Sequence, residues 1–402
     1  MTTTEAPAIS IPNTDYYCVD DYLSDDDRAI ASTVRAFVDE RVLPIINDYW
    51  ERAAFPFELL KPFAATGVVG TTIDGYGCPG LSRLQSGLVA MELSRGDGSI
   101  NTLNSMQSGL SMGTIHLLGD EDQKQRWLPA MGRLEKIGAF ALTEPLHGSD
   151  AVALESTATR HGRSWIINGA KRWIGLGTIA DLIVLWARDT DDGQVKAFVI
   201  EKDGEGNYPN GYEARVITGK IAKRAVLQAD ITLTDVRVPE ENRLAGSTSF
   251  RDVSSILRQT RSNVAWEALG HALAAYDAAA RYTQERVQFG KTIASFQLVQ
   301  DKLSHMLADL TAIQLMTFRV AALQDQNRLT IPQASLAKMH ASRASLEICR
   351  NARELMGGNG LLLENHVARH LTDMEVVHTY EGTESIQSLI VGRDITGISA
   401  FA

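Results

Sequence analysis

Between residues 138 and 248 the chain changes periodicity, and that change restricts the fold more than any other feature. Short β-rich runs alternate there with turn signals. Residues 181–187 and 195–200 are apolar runs that flank Asp192-Gly193, a strong tight-hairpin signal. Residues 229–234 alternate apolar and polar side chains, as a half-buried strand does. No helical pattern separates these runs, so a parallel α/β arrangement is not expected.

Both flanks read as helical. Ser24 followed by Asp27 makes a capping start, and Ile30, Val34 and Phe37 follow as an apolar stripe, with Arg41 at the same spacing. Pro44 then disturbs the pattern. Further helices fit residues 57–66, 82–95, 100–118 and 121–131. Beyond residue 248, residues 263–287 are rich in Ala and Leu, and Pro332 sits near the start of a run ending at Gly357-Gly358. Four long helices fit residues 249–402, which makes a bundle the natural packing. The expected architecture is mainly α with a central β domain. It comprises an N-terminal helical domain (1–137), a small antiparallel β-barrel or sandwich (138–248) and a C-terminal four-helix bundle (249–402). A chain of 402 residues suits two or three domains.

The net charge of −10 argues against a nucleic-acid partner, which needs clustered cations. Cys18, Cys78 and Cys349 lie far apart and cannot form a complete set of disulfides, so a reduced, cytoplasmic setting is expected. The N-terminal residues lack the basic and apolar regions of a signal peptide. No apolar run reads as long enough to span a bilayer.

Two signals mislead. Residues 75–80 match Gly-x-Gly-x-x-Gly, but Pro79 stiffens the loop and no second parallel strand follows, so a glycine-rich turn is expected. His366 and His370 could share a helix face, yet two histidines make a poor metal site, and no metal is expected. No Gly-x-Ser-x-Gly elbow or Walker loop is present.

Three segments carry chemistry. Residues 139–150 form a strand breaking into a loop that offers Thr143, Ser149 and main-chain N–H groups; by itself, an ordinary capped turn is the plainer reading. In residues 168–175, Trp173 beside glycines could lie against a flat cofactor, or could be a large sheet residue. In residues 379–384, Glu381 stands between an aromatic residue and Gly382, just before a helix from about Ser385. A carboxylate in an apolar pocket can act as a base; a surface carboxylate near a helix N-terminus is the plainer reading.

Together these segments resemble the acyl-CoA dehydrogenase family. The Leu142-Thr-Glu-Pro and Gly148-Ser-Asp loop, Lys171-Arg-Trp-Ile, Arg286-Val-Gln-Phe-Gly, Gly357-Gly-Asn-Gly and Tyr380-Glu-Gly-Thr occur in the family's order, from about residue 15 to the end. The chain's ending is similar to glutaryl-CoA dehydrogenase and the related short-chain acyl-CoA oxidases.

The resemblance implies FAD as cofactor and Glu381 as the base that removes the substrate's α-proton. Phe140, Leu142, Thr143, Ser149, Trp173, Ile174 and Gly175 would hold the flavin ring and pyrophosphate. Arg286, Phe289, Gln297, Glu354, Leu355, Gly357 and Gly358 would contact FAD across a subunit interface. Thr383 and Phe401 would also lie at the cofactor. Ser94, Asn101, Thr102, Ser149, Arg258, Arg261, Tyr380 and Gly382 would bind acyl-CoA. Some branches carry the base just before Arg261; Thr260 cannot serve there. The family implies a homotetramer, electron transfer to an electron-transfer flavoprotein and a role in fatty acid metabolism, with no membrane partner.

Three departures stand out. Asn101 stands where the glutaryl-CoA branch places an arginine to pair with a distal carboxylate, and Ser94 where that branch carries a nearby glutamate. A buried carboxylate without a cation is costly, which tells against glutaryl-CoA decarboxylation. Gly175 stands where a hydroxyl residue is common. The expected activity is dehydrogenation of a short acyl-CoA. An oxygen-using oxidase, glutaryl-CoA decarboxylation and a non-catalytic acyl-CoA-binding protein are the alternatives.

Overall fold

A computed structural model describes residues 13–400. Phe401, expected at the cofactor, lies outside the described residues.

The first helices are α1 (Asp25–Phe37), α2 (Leu43–Arg52), α3 (Leu60–Ala65), α4 (Arg83–Gly96), α5 (Gly98–Asn104), α6 (Gly113–Leu118) and α7 (Glu121–Gly132). Ser24 and Asp27 form the expected reciprocal cap. A π-helical turn, Val38–Val42, precedes α2, whose first turn takes Pro44. A second π-helical segment, Ser105–Met112, joins α5 to α6 where the sequence suggested one continuous helix. The glycine-rich stretch is a small hairpin, β1 (Asp74–Gly75) with β2 (Cys78–Pro79).

The sheet comprises β3 (Gly138–Ala141), β4 (Thr157–His161), β5 (Ser164–Gly175), β6 (Leu182–Asp189), β7 (Val195–Glu201), β8 (Tyr212–Val216) and β9 (Gln228–Pro239). The order is β3-β6-β4-β5-β9-β8, with β7 on β6. The β6–β7 hairpin turns at Asp192-Gly193, as expected. The sheet is not purely antiparallel: β3 runs parallel to β6, and β4 pairs with the end of β6 in parallel. The long 142–156 connection lets the chain make these pairings without a crossover helix. Trp186, Val184 and Leu185 are fully buried in one core shared by the sheet and the first helices.

The remaining helices are α8 (Phe250–Glu285), α9 (Gln297–Asp325), α10 (Ile331–Leu355), α11 (Val367–Thr379) and α12 (Glu384–Thr396). Three are long; the expected fourth is split at residues 380–383. A hairpin, β10 (Val287–Gln288) with β11 (Lys291–Thr292), caps one end. The expectation that no apolar run could span a bilayer fails for α9 on length and composition, since it has 29 residues and an 18-residue stretch of mean hydropathy 1.4. Met306, Leu310, Ile313 and Val320 of α9 are buried in the bundle core.

Candidate active site

The break between α11 and α12 creates the geometry around Glu381. Thr383 caps α12, its hydroxyl accepting from Ile386 N at 3.2 Å. Glu381 (φ 54°) and Gly382 (φ 84°) are both left-handed. A Cβ at 382 would stand 2.4 Å from Gln387 Nε2, which donates to the Glu381 and Gly382 carbonyls at 3.0 and 3.1 Å. Lys338 Nζ donates to the carbonyls of Gly382 (3.0 Å) and His378 (3.1 Å). A non-glycine residue in this conformation needs surrounding structure to hold it, and these bonds supply it.

The turn aims Glu381 at α8. Thr260 Oγ donates a long hydrogen bond to Glu381 Oε2, 3.5 Å. Gly109, in the π-helical segment, is opposite: a Cβ there would lie 3.4 Å from Thr260 Cγ2. Burial pushes the Glu381 carboxyl above its usual value, and Glu267 adds to the rise; Arg261, Lys338 and Thr260 oppose it without cancelling it. A raised carboxylate is suited to proton abstraction. Burial also lowers Lys338 to about 8, against the pull of Glu381.

Beside the turn, the Tyr380 hydroxyl bonds to Glu267. Glu267 in turn pairs with Lys223, whose ammonium reaches Thr102 Oγ1 at 2.8 Å, the Tyr380 hydroxyl at 3.2 Å and Gly98 O at 3.3 Å. Ser94 is fully buried, its hydroxyl turned back to Ala90 O at 2.6 Å. Asn101 is buried with Oδ1 unpaired. Arg261 is half-buried, whereas Arg258 is exposed. Sequence reasoning named Thr102 and Tyr380 but missed Lys223 and Glu267, because nothing in either residue's local sequence marks a contact 44 positions away.

The two loop segments expected at the flavin are joined to each other. Arg172 N donates to Thr143 O at 2.8 Å. The buried Lys171 ammonium binds Glu144 at 2.8 Å and Leu142 O at 3.1 Å. Glu144 also accepts from Glu155 N (2.6 Å) and Ser156 N (3.0 Å). Burial lowers Lys171 to about 8. Burial pushes Glu144 up, but Lys171 and the other donors hold it below its usual value. Beside this pair the β5–β9 register slips between Lys171 and Ile174. The bulge puts Trp173 at φ 64° with its side chain 53% exposed. An exposed indole next to the half-buried Thr143 suits a flat polar ring. The side chains of Phe140, Leu142 and Ile174 are buried, Phe140 lying edge-on to Trp186. Gly175 faces Met106, whose sulfur would lie 2.9 Å from a Cβ, so Met106 fills the space that a hydroxyl residue would use. Ser149 is exposed on the loop.

A second group gathers at the far end of the bundle. Arg286 ends α8, and Phe289 tips the hairpin, 93% exposed at φ 53°. Gln297 begins α9 and is exposed. Glu354 pairs with Lys302 at 2.5 Å, bringing the α10 end, Leu355 and exposed Gly357-Gly358 beside α9. Along α8, Arg286 is 26 residues from Thr260, about 39 Å at 1.5 Å per residue. One chain therefore does not bring this group to Glu381. His366 and His370 do not act together either: His370 Nδ1 meets His271 Nδ1 at 2.8 Å, while His366 bonds Arg369 at the start of α11.

The chain matches family models for the acyl-CoA dehydrogenase N-terminal domain over residues 24–135, the middle domain over 139–236 and the C-terminal domain over 250–396. It is 31% identical over 374 residues to a human mitochondrial short-chain specific acyl-CoA dehydrogenase, covering 92% of this chain and 90% of that protein. It is also 31% identical over 385 residues to a glutaryl-CoA dehydrogenase of Desulfococcus multivorans, covering 94% and 98%. A crystal structure of a glutaryl-CoA dehydrogenase from Mycobacterium smegmatis, in complex with FADH2, superposes with a TM-score of 0.92 at 36% identity, over 95% of this chain and 97% of that one. The chain belongs to the acyl-CoA dehydrogenase family of oxidoreductases.

Proposed function

We propose that this enzyme oxidises a short acyl-CoA thioester to the enoyl-CoA, with FAD as cofactor and Glu381 as the base. The observation that carries the reading is the Glu381 turn: a left-handed carboxylate of raised pKa, facing Thr260 and held by Lys338 and Gln387.

FAD fits the residues present. Trp173, Thr143 and the 142–149 loop would hold its ring and pyrophosphate, with Thr383 nearby. Arg286, Phe289, Gln297 and residues 354–358 would come from a partner subunit, since about 39 Å of helix separates Arg286 from Thr260. FAD, when bound, supplies the two-electron acceptor for the hydrogen leaving the β-carbon. The chain's own part is to position and to move one proton. Glu381 takes the α-proton, and its main-chain N–H would donate to the thioester carbonyl as enolate-like charge develops. An electron-transfer flavoprotein is the proposed acceptor.

Anaerobic titration of the yellow protein with a panel of acyl-CoAs tests this. Short chains should bleach the flavin, and Glu381→Gln should keep the flavin but not bleach. Hydrogen peroxide formed in air at the rate of turnover would instead make it an oxidase.

A further inference from the structure

Lys223 and Glu267 lie beside the Glu381 turn, and beyond the charge that Glu267 adds to the rise of Glu381, proton abstraction gives the pair no role. Their side chains are 2% and 3% exposed. A buried ion pair is tolerated when its remaining donors and acceptors are matched. Lys223 is matched by Glu267, Thr102, Tyr380 and the Gly98 carbonyl. Glu267 is matched by Lys223 and the Tyr380 hydroxyl. The ammonium also lies 5.0 Å from the centre of the Tyr380 ring.

Two helical stretches fix where this set stands. Thr260 and Glu267 are seven residues apart on α8, which is two turns on one face, about 10.5 Å along the axis. Opposite Thr260 is Gly109. Opposite Glu267, through Lys223, are Thr102 and Gly98. Thr260, at Glu381, and Glu267, at Lys223, therefore mark two points on one face of α8 that both meet the 98–112 stretch. Asn101, beside Thr102, adds a buried Oδ1 with no partner.

We propose that Lys223, Glu267 and Tyr380 form the end wall of the acyl pocket, and that this wall admits short acyl chains whose far end carries no carboxylate. The inference rests on the reading of Glu381 as the base. Its physical basis is charge. The Lys223 cation is already neutralised by Glu267, so a terminal carboxylate would meet Glu267 with no free cation to pair with. An uncharged end needs no such partner. Lys223 is a locked cation, and Glu267 is the lock.

The test uses the FAD-loaded enzyme and non-oxidisable thioether analogues of butyryl-CoA and glutaryl-CoA, with binding read by calorimetry. Wild type should bind the butyryl analogue at least tenfold more tightly. Glu267→Gln keeps the shape of the wall but frees the cation, and should shift the ratio at least tenfold toward the glutaryl analogue. Adding Lys223→Met should abolish that shift. Equal binding by wild type overturns the proposal and needs no variant. An unchanged ratio in Glu267→Gln, with flavin absorbance and melting intact, overturns it too. Failure of the underlying function looks different: no acyl-CoA of any length bleaches the flavin, and the proposal falls with it.

Discussion

The Thr260 hydroxyl stands 3.5 Å from Oε2 of Glu381 although 121 residues separate them. One point is therefore reached both from the middle of a long helix and from the turn between two short ones. The helix route ends in a hydroxyl here, so only the turn presents a carboxylate.

Removing that carboxylate should stop the chemistry. Glu381→Gln should lower the rate of anaerobic flavin bleaching by about 10²–10⁴, the range of a lost general base. Because the two side chains meet, adding Thr260→Glu to Glu381→Gln should regain part of the rate. No recovery in a folded, flavin-loaded double variant would show that position 260 does not reach the α-proton.

The pH dependence follows from the charges around Glu381. Burial raises its pKa, and Lys338 is one of the groups holding the rise in check. As the proposed base, Glu381 would work only when ionised, so activity should fall as pH drops through this raised pKa. Lys338→Gln removes a cation while its amide can still donate to Gly382 O and His378 O. The acid limb of kcat should then move to higher pH. A shift to lower pH would mean that Lys338 does not stabilise the carboxylate.

The ion pair Glu144–Lys171 should control both stability and the shape of the cofactor loops. Lys171→Met leaves a buried carboxylate without its cation, a change expected to cost about 3–5 kcal/mol. Urea unfolding of the cofactor-free protein measures it. Retained stability with normal FAD uptake would show that the Glu155 and Ser156 N–H groups suffice to hold Glu144.

Much of this was legible in local sequence. The Ser24–Asp27 cap, the Asp192-Gly193 hairpin and the alternating strand at 229–234 depend on residues close in the chain, so their physics shows in a short window. The parallel β3–β6 pairing does not, because it depends on which strands meet after a long loop. Lys223 and Glu267 were invisible for the same reason: each alone looks like a surface charge, and only the fold buries them together. The split at residues 380–383 was half legible. Gly382 marked a turn, but a left-handed glutamate is dictated by Gln387 and Lys338, which no local pattern reveals. Side-chain exposure is likewise set by the fold: Trp173 stands exposed, whereas Phe140, Leu142 and Ile174 have core side chains.

Trp173 gives a prediction that separates folding from cofactor binding. Its ring is 53% exposed, so its loss should remove little buried surface. Trp173→Ala should leave the stability of the cofactor-free protein within about 0.5 kcal/mol. FAD binding should weaken about tenfold, equivalent to about 1.4 kcal/mol. Equal weakening of both would identify Trp173 as a structural residue of β5 instead.

The distance along α8 makes the assembly testable without a structure of it. If Arg286 serves the Glu381 of a partner subunit, two inactive variants can rescue each other. Take Glu381→Gln and Arg286→Ala, each expected to be poorly active by itself. In a mixed dimer, one site combines both defects. The other site combines the intact Glu381 of the second variant with the intact Arg286 of the first, and it should work. Dissociating and reassociating an equal mixture should therefore restore activity, up to about one working site in each mixed pair. A site built within one chain cannot be restored in this way, because every chain in the mixture carries one defect. Rescue after mixing, and none when the intact oligomers are merely combined, would place Arg286 and Glu381 of one site on different subunits.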